Sequence, residues 1–359
     1  MKKLRWGVCL LLLALAGLWH GQASAASASP SQGFNVLTSP LPIKLTTAPG
    51  RTVTTELRIK NQGNQPENIV VGLMKFGATG ENGTPDLFNL TPQDVYGKWV
   101  HFSPASFTAQ PDVWQTVKMT IDVPGDAGFG YYLAVTFSRA AQENASGEAT
   151  NLHGSVAELV LLNVDTGHES RTIKLLDFAA THSLYEYLPA NFTIRLRNTG
   201  NIYVVPSGNI FIQRGSKTID TLDLNAAGGS VLPNSNRVFT VPWSNGFPEF
   251  EDTIVNGKPV NDRHGLPKKH LKWDFAKIGN FRIGSYSAKV LVVYNNGAND
   301  VPLEATVSFW VFPWKLMLLA LVILLVVGFG IWSAIRGVLG RGGSRGHRSG
   351  RGGRFGRRR

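Results

Sequence analysis

The sequence predicts an all-β ectodomain of two tandem β-sandwiches, followed by a single transmembrane α-helix and a disordered basic tail. Three observations point there. Short segments of alternating apolar and polar residues are separated by Gly, Pro and Asn clusters, the pattern of half-buried antiparallel strands. One strand-and-turn signature occurs in each half. Near the C-terminus, residues 316–335 (LMLLALVILLVVGFGIWSAI) run for twenty positions without a charge.

Lys2, Lys3 and Arg5 precede an apolar run at 7–18, and small residues including Ala23, Ser24 and Ala25 follow it. That is the three-part pattern of a secretory leader, which predicts residues 1–25 as a signal peptide cut after Ala25. An uncleaved first membrane helix would need a longer apolar run. Cys9 is the sole cysteine and lies inside the leader, so the exported part relies on packed cores and not on cross-links.

Charge is partitioned in the same way. Of 36 Lys and Arg, three lie in the leader and nine after residue 335, leaving 24 to match the 24 acidic residues of the ectodomain. The basic excess is thus confined to segments that topology explains, and nucleic acid is not an expected partner.

In the first half, Val53, Leu57 and Ile59 alternate with Thr54, Glu56, Arg58 and Lys60. Val117, Met119, Ile121 and Val123 alternate with Thr116, Lys118, Thr120 and Asp122, and a Pro124-Gly125 turn signal follows. YYLAVTFS at 131–138 and SVAELVLLNVD at 155–165 are predicted to form a hairpin across a polar loop. The cluster Trp99, Val100, His101, Phe102, with Phe107 and Trp114 nearby, reads as a core strand and its loop in preference to a sugar-stacking surface.

The second half repeats the signature. Pro49-Gly50 leads through LRIK at 57–60 to Asn61-Gln62-Gly63-Asn64, and Pro189-Ala190 leads through IRLR at 194–197 to Asn198-Thr199-Gly200-Asn201. Each predicts a strand ending in a tight turn in which Gly supplies positive φ and Asn bonds its own backbone. Gly130-Tyr131 and Gly284-Ser285-Tyr286 each begin a later strand. The predicted organisation is a first sandwich at 26–168 and a second at 169–312.

Residues 244–277 interrupt the second half with aromatics and charge but little regular pattern. The candidate partner-binding loop comprises Trp243, Phe247, Phe250, Arg263, His264, Lys268, Lys269 and Trp273, the alternative being an elaborated hairpin that packs its own aromatics.

Residues 313–335 are the predicted span with its interfacial anchor: twenty residues at about 1.5 Å each cover about 30 Å, the hydrocarbon thickness of a bilayer. Phe312, Pro313, Trp314 and Lys315 precede the span. The tail at 336–359 carries nine arginines and no acid, which predicts a cytoplasmic tail and an outward-facing ectodomain. Arg336, Arg341, Arg345 and Arg348 are candidate contacts for anionic membrane lipid, a topological role preferred over RNA binding.

Little chemistry is legible. His101, His153, His168, His182, His264 and His270 are dispersed, no H-E-x-x-H, G-x-S-x-G or phosphate-loop motif occurs, and adjacent Glu251 and Asp252 do not suit a glycosidic pair. No catalytic residue, metal site or cofactor is expected, and the protein is not expected to be an enzyme.

The leader, the two repeats with P-G and N-x-G-N signatures, the FWVFPWK run at 309–315 and the arginine-rich tail resemble bacterial cell-surface proteins of the WxL-interacting type. The resemblance implies immunoglobulin-like modules, peptidoglycan binding by the first and contact with a partner surface protein by the second. The expected function is a single-pass cell-membrane scaffold for binding or adhesion, directed at cell wall polymer or a secreted surface protein. A glycan-active ectodomain and a chaperone-like module that captures a partner strand at a sheet edge are the alternatives.

Overall fold

The computed structural model describes residues 33–140, 154–255 and 257–340. The predicted leader and the arginines beyond residue 340 lie outside them. The chain is mostly β with one C-terminal apolar helix. The N-terminal module holds β1 (Val36–Ser39), β2 (Ile43–Thr47), β3 (Thr52–Asn61), β4 (Glu67–Gly77), β5 (Asp86–Phe88), β6 (Val100–Ser103), β7 (Ser106–Ala109), β8 (Trp114–Asp122), β9 (Phe129–Arg139) and β10 (Ser155–Val164). One sheet runs β1-β3-β8-β6; the other runs β2-β10-β9-β4-β5, with β7 also on β4.

Alternation builds this core. Leu57 and Ile59 of β3 and Val117, Met119 and Ile121 of β8 turn to one side and are fully buried. They meet Leu133, Val135 and Phe137 of β9 and Val160 and Leu162 of β10 from the other sheet. β9 and β10 pair antiparallel from Ser155↔Ser138 to Val164↔Phe129, forming the expected hairpin. Their apolar runs are nearly continuous because the outer face is also covered: Phe76, Ala134 and Leu161 pack there with Tyr203 and Leu232 from the second half.

The C-terminal module holds β11 (Ile173–Ala180), β12 (Leu184–Tyr185), β13 (Ala190–Asn198), β14 (Ser207–Arg214), β15 (Lys217–Leu224), β16 (Asn236–Trp243), β17 (Glu249–Asp252), β18 (Ile254–Val255), β19 (Lys258–Pro259), β20 (Lys269–Lys272), β21 (Gly284–Asn295) and β22 (Asp300–Val311). Sheets β11-β13-β16 and β12-β22-β21-β14-β15 enclose a second core. Its aromatic centre packs edge to face, with Trp243 5.9 Å from Phe309 and 5.4 Å from Tyr286.

The two modules each bury an asparagine at the end of a strand. Asn61 is 1% exposed; its Oδ1 accepts from Gly63 N at 2.8 Å, and its Nδ2 donates to Gln65 O at 2.7 Å and Ala109 O at 3.1 Å. Asn198 is fully buried and repeats this with Gly200 N at 2.8 Å, Ile202 O at 2.8 Å and Val231 O at 2.9 Å. Each side chain thus closes its own turn and ties it to a distant segment.

The role expected for glycine in these turns is corrected. Neither Gly63 nor Gly200 is among the positive-φ residues. At Gly200 a Cβ would lie 2.0 Å from the Ser170 carbonyl oxygen, so close approach of two backbones is the reason; at Gly63 it would meet only Asn61 Oδ1 at 3.0 Å.

Helix α1 (Trp314–Gly340) follows β22 after two intervening residues, Phe312 and Pro313. Its segment Trp314–Arg336 has mean hydropathy 2.7 and none of it is buried, which makes it long and apolar enough to cross a membrane. The helix runs five residues past Ile335, where the tail was expected to start, because residues 335–340 contain no proline to stop it.

Candidate functional site

The two modules meet over a cleft of about 280 Å³. Leu41, Phe76, Leu159 and Leu161 line one side, and Leu232 and Arg237 the other. Glu81, in the loop after β4, fixes the modules together. Its carboxylate accepts from Arg195 Nε at 2.8 Å, Arg195 Nη2 at 2.5 Å and Asn236 Nδ2 at 2.9 Å, while its carbonyl accepts from Val238 N at 2.6 Å. The Arg195 hydrogen bonds hold the Glu81 carboxyl below its ordinary value. Lys44 Nζ adds a bond to Gly228 O at 3.2 Å.

Arg237 gives the cleft its one half-buried cation. Its guanidinium lies over the Phe239 ring at 5.1 Å and donates Nη1 to Ser230 O at 2.7 Å. It also lies against Gly83, where a Cβ would come within 2.4 Å of Cζ. Its Nε is buried without a partner, and burial lowers its pKa.

Beside the cleft, β10 has an open half-edge. Pro40 and Pro42 have no N–H to continue a ladder, and between β1 and β2 the chain crosses from one sheet to the other. β2 then pairs with β10 in parallel only from Val160↔Ile43 to Val164↔Thr47. Among the described residues no strand pairs with residues 155–159 on the side away from β9, although β1 comes close to β10 and Phe34 lies against Gly154. Leu159 and Leu161 belong to this strand and line the cleft, so edge and cleft adjoin.

Glu158 sits in the open half. It is fully buried with neither carboxylate oxygen hydrogen-bonded, and desolvation pushes its pKa up to about 7. Sequence reasoning missed it: Glu158 shares the inward face of Val156, Val160 and Leu162, but a single acid inside an apolar run carries no sign of its own that it is enclosed.

The predicted loop at 244–277 is a regular hairpin. The acidic strand β17 (EFED) pairs with the basic β20 (KHLK), Glu249↔Lys272 through Asp252↔Lys269. Lys272 meets Glu251 and Lys277 meets Glu249, each at 3.1 Å. Two of its candidate contacts are corrected, since their side chains are enclosed. Trp243 is fully buried and donates Nε1 to Asp220 at 2.8 Å; Phe247, 7% exposed, is the base for Trp273 at 5.7 Å and Phe275 at 5.5 Å. Phe250 packs on Tyr187 at 5.6 Å. Arg263, His264, Lys268, Lys269 and Trp273 are exposed. Asp262 Oδ1 accepts from the backbone N–H of His264 at 2.8 Å and of Leu266 at 3.0 Å, closing the turn.

Val100 is buried, and Trp99, Phe102 and Phe107 pack against the first core, while Trp114 is 44% exposed. Among the described residues no three His, Cys, Asp or Glu side chains gather as a metal site. Arg336 lies over Trp332 at 4.8 Å; Arg341, Arg345 and Arg348 are outside the described residues.

No family model and no curated protein matches the sequence. Solved structures do. The class 5 fimbriae chaperone CfaA is 13% identical, with 75% of this chain and 98% of that one covered and a TM-score of 0.36. The CsuC–CsuE chaperone-tip adhesion subunit pre-assembly complex of Acinetobacter baumannii is 10% identical, covering 75% and 97% at 0.34. The Salmonella enterica SafB chaperone with SafA pilin is 11% identical, covering 77% and 99% at 0.33. Scores this low fix no function.

Proposed function

We propose that the protein is a membrane-tethered, outward-facing binding module that takes up an extended apolar segment of an exported protein along the open half of β10. The supporting observation is the juxtaposition of unpaired strand edge and apolar cleft. A strand laid beside residues 155–159 would gain main-chain hydrogen bonds, and the cleft would select its side chains. Arg237, whose guanidinium lines the cleft, suits a carbonyl or carboxylate oxygen of the guest. α1 would hold the site at the bilayer and the arginine tail would stay cytoplasmic.

Strand capture is preferred over adhesion to wall polymer, because the Trp99, Phe102 and Phe107 group that might stack on sugars packs against the core. Leu159→Asp, which places a charge in the cleft, is expected to reduce recovery of exported proteins with the full-length chain at least tenfold without changing its circular dichroism. Undiminished recovery, together with retention of wild type and variant alike on purified peptidoglycan, would favour the wall-binding scaffold and sink this reading.

A further inference from the structure

The end of the C-terminal module nearest α1 carries apolar side chains that no part of the described chain covers. Phe275 is 68% exposed, Ile278 61%, Trp273 45% and Phe281 43%, all on the insertion or the turn that closes it. Leu184 and Trp310, paired neighbours on β12 and β22, are each 55% exposed.

Topology places these residues at one end. Gly284 opens β21 opposite Val311, the last residue of β22. Phe281 lies three residues before Gly284, and α1 starts three residues after Val311. Phe247 N donates to Asn280 O at 3.1 Å, which holds the 3₁₀ turn at Phe275–Asn280 against the body of the module. Lys315 Nζ reaches Glu186 at 2.8 Å, linking the first turn of α1 to the loop beside β12.

We propose that this surface docks on the lipid bilayer that α1 crosses, with Trp273, Phe275, Ile278 and Phe281 seated at the boundary between headgroups and acyl chains. The bilayer is the fitting partner because only Phe312 and Pro313 separate β22 from α1, so this end of the module is held at headgroup depth. Trp273, an aromatic with a polar N–H, favours that layer, and Phe275, Ile278 and Phe281 add apolar area beside it. Arg263, Lys268 and Lys269 are exposed on the same hairpin and have no ion-pair partner among the described residues, which suits anionic headgroups. The insertion would then act as an outrigger that fixes the tilt of the ectodomain and presents the β10 edge away from the surface.

This inference rests on reading α1 as a membrane span. The test uses the full-length chain with Cys9→Ser and Phe275→Cys, labelled with an environment-sensitive dye and reconstituted in vesicles of phosphatidylcholine and phosphatidylglycerol. Asn296→Cys, in the turn at the far end of the module, is the reference. The dye at 275 is expected to emit at shorter wavelength than at 296 and to be quenched several-fold more by lipids spin-labelled near the headgroup, but less by aqueous iodide. Equal iodide access at both sites, or shielding at 275 from iodide and lipid quencher alike, would overturn the proposal. Flotation of the same samples separates that result from a failure of the span, since a chain lacking a membrane anchor would not float with the vesicles.

Discussion

β10 and β22 hold the same place in their modules, yet their edges differ. Each is the last strand, pairs antiparallel with the preceding long strand and is flanked in parallel by a short early strand. β22 carries Pro302, which lacks a donor, and its exposed face bears Asp300 and a Glu304–Lys289 pair at 2.8 Å. Proline and charge are the usual guards of a strand edge. The open half of β10 has no proline, its one acid points inward, and it adjoins the apolar cleft. Two modules built alike can therefore differ in function through the guarding of one edge.

The largest expected effects test whether the modules are built alike. Asn61→Ala removes the side-chain bonds of one buried carbonyl, one part-buried carbonyl and a part-buried N–H; Asn198→Ala removes those of two buried carbonyls, of which Val231 O keeps Val204 N, and of a buried N–H, so each should cost about 2–4 kcal/mol. Equal losses in urea melts of the two variants would support equivalence; a negligible loss at either would break it. Gly200→Ala should cost about 2–4 kcal/mol because its Cβ meets a backbone carbonyl, while Gly63→Ala, facing only a side-chain oxygen, should cost under about 1 kcal/mol. Comparable costs would show that the two turns are not distinguished by backbone contact.

The next effect separates the edges. Glu304→Ala on β22 should leave partner recovery within about twofold of wild type, in contrast to the roughly tenfold loss, about 1.4 kcal/mol, expected for Leu159→Asp. A large loss for Glu304→Ala would put the site on the wrong module.

A further effect, read from pH dependence, concerns Glu158. Between the ordinary value of 4.5 and about 7, the unfolded chain releases a proton that the folded chain keeps, so stability falls as pH rises through this window and levels off on either side. Denaturant midpoints from pH 4 to 8 should show that decline in the wild type and a flatter profile in Glu158→Gln. A parallel decline in both would assign the dependence to other groups.

Much of the fold was legible because alternation reports burial directly, as at Leu57, Ile59, Val117 and Met119. The turns at Asn61 and Asn198 were readable, but the reason for their glycines was not, since Ser170 approaches Gly200 only in the folded chain. The hairpin at β17 and β20 was written in complementary charge, EFED against KHLK, a signal hidden by the sixteen residues between them. The β10 edge was invisible for a stronger reason. A strand does not encode which of its sides lacks a neighbour, and the cleft draws on segments as distant as Leu41 and Arg237.

The most direct measurement is a photo-crosslinking scan of the full-length protein in intact envelopes, with benzoylphenylalanine placed singly at Ala157, Leu159, Thr306 and Phe275. The account predicts adducts to one exported polypeptide from Ala157 and Leu159 and none from Thr306. Adducts to that polypeptide from Thr306 or Phe275, with none from β10, would contradict it.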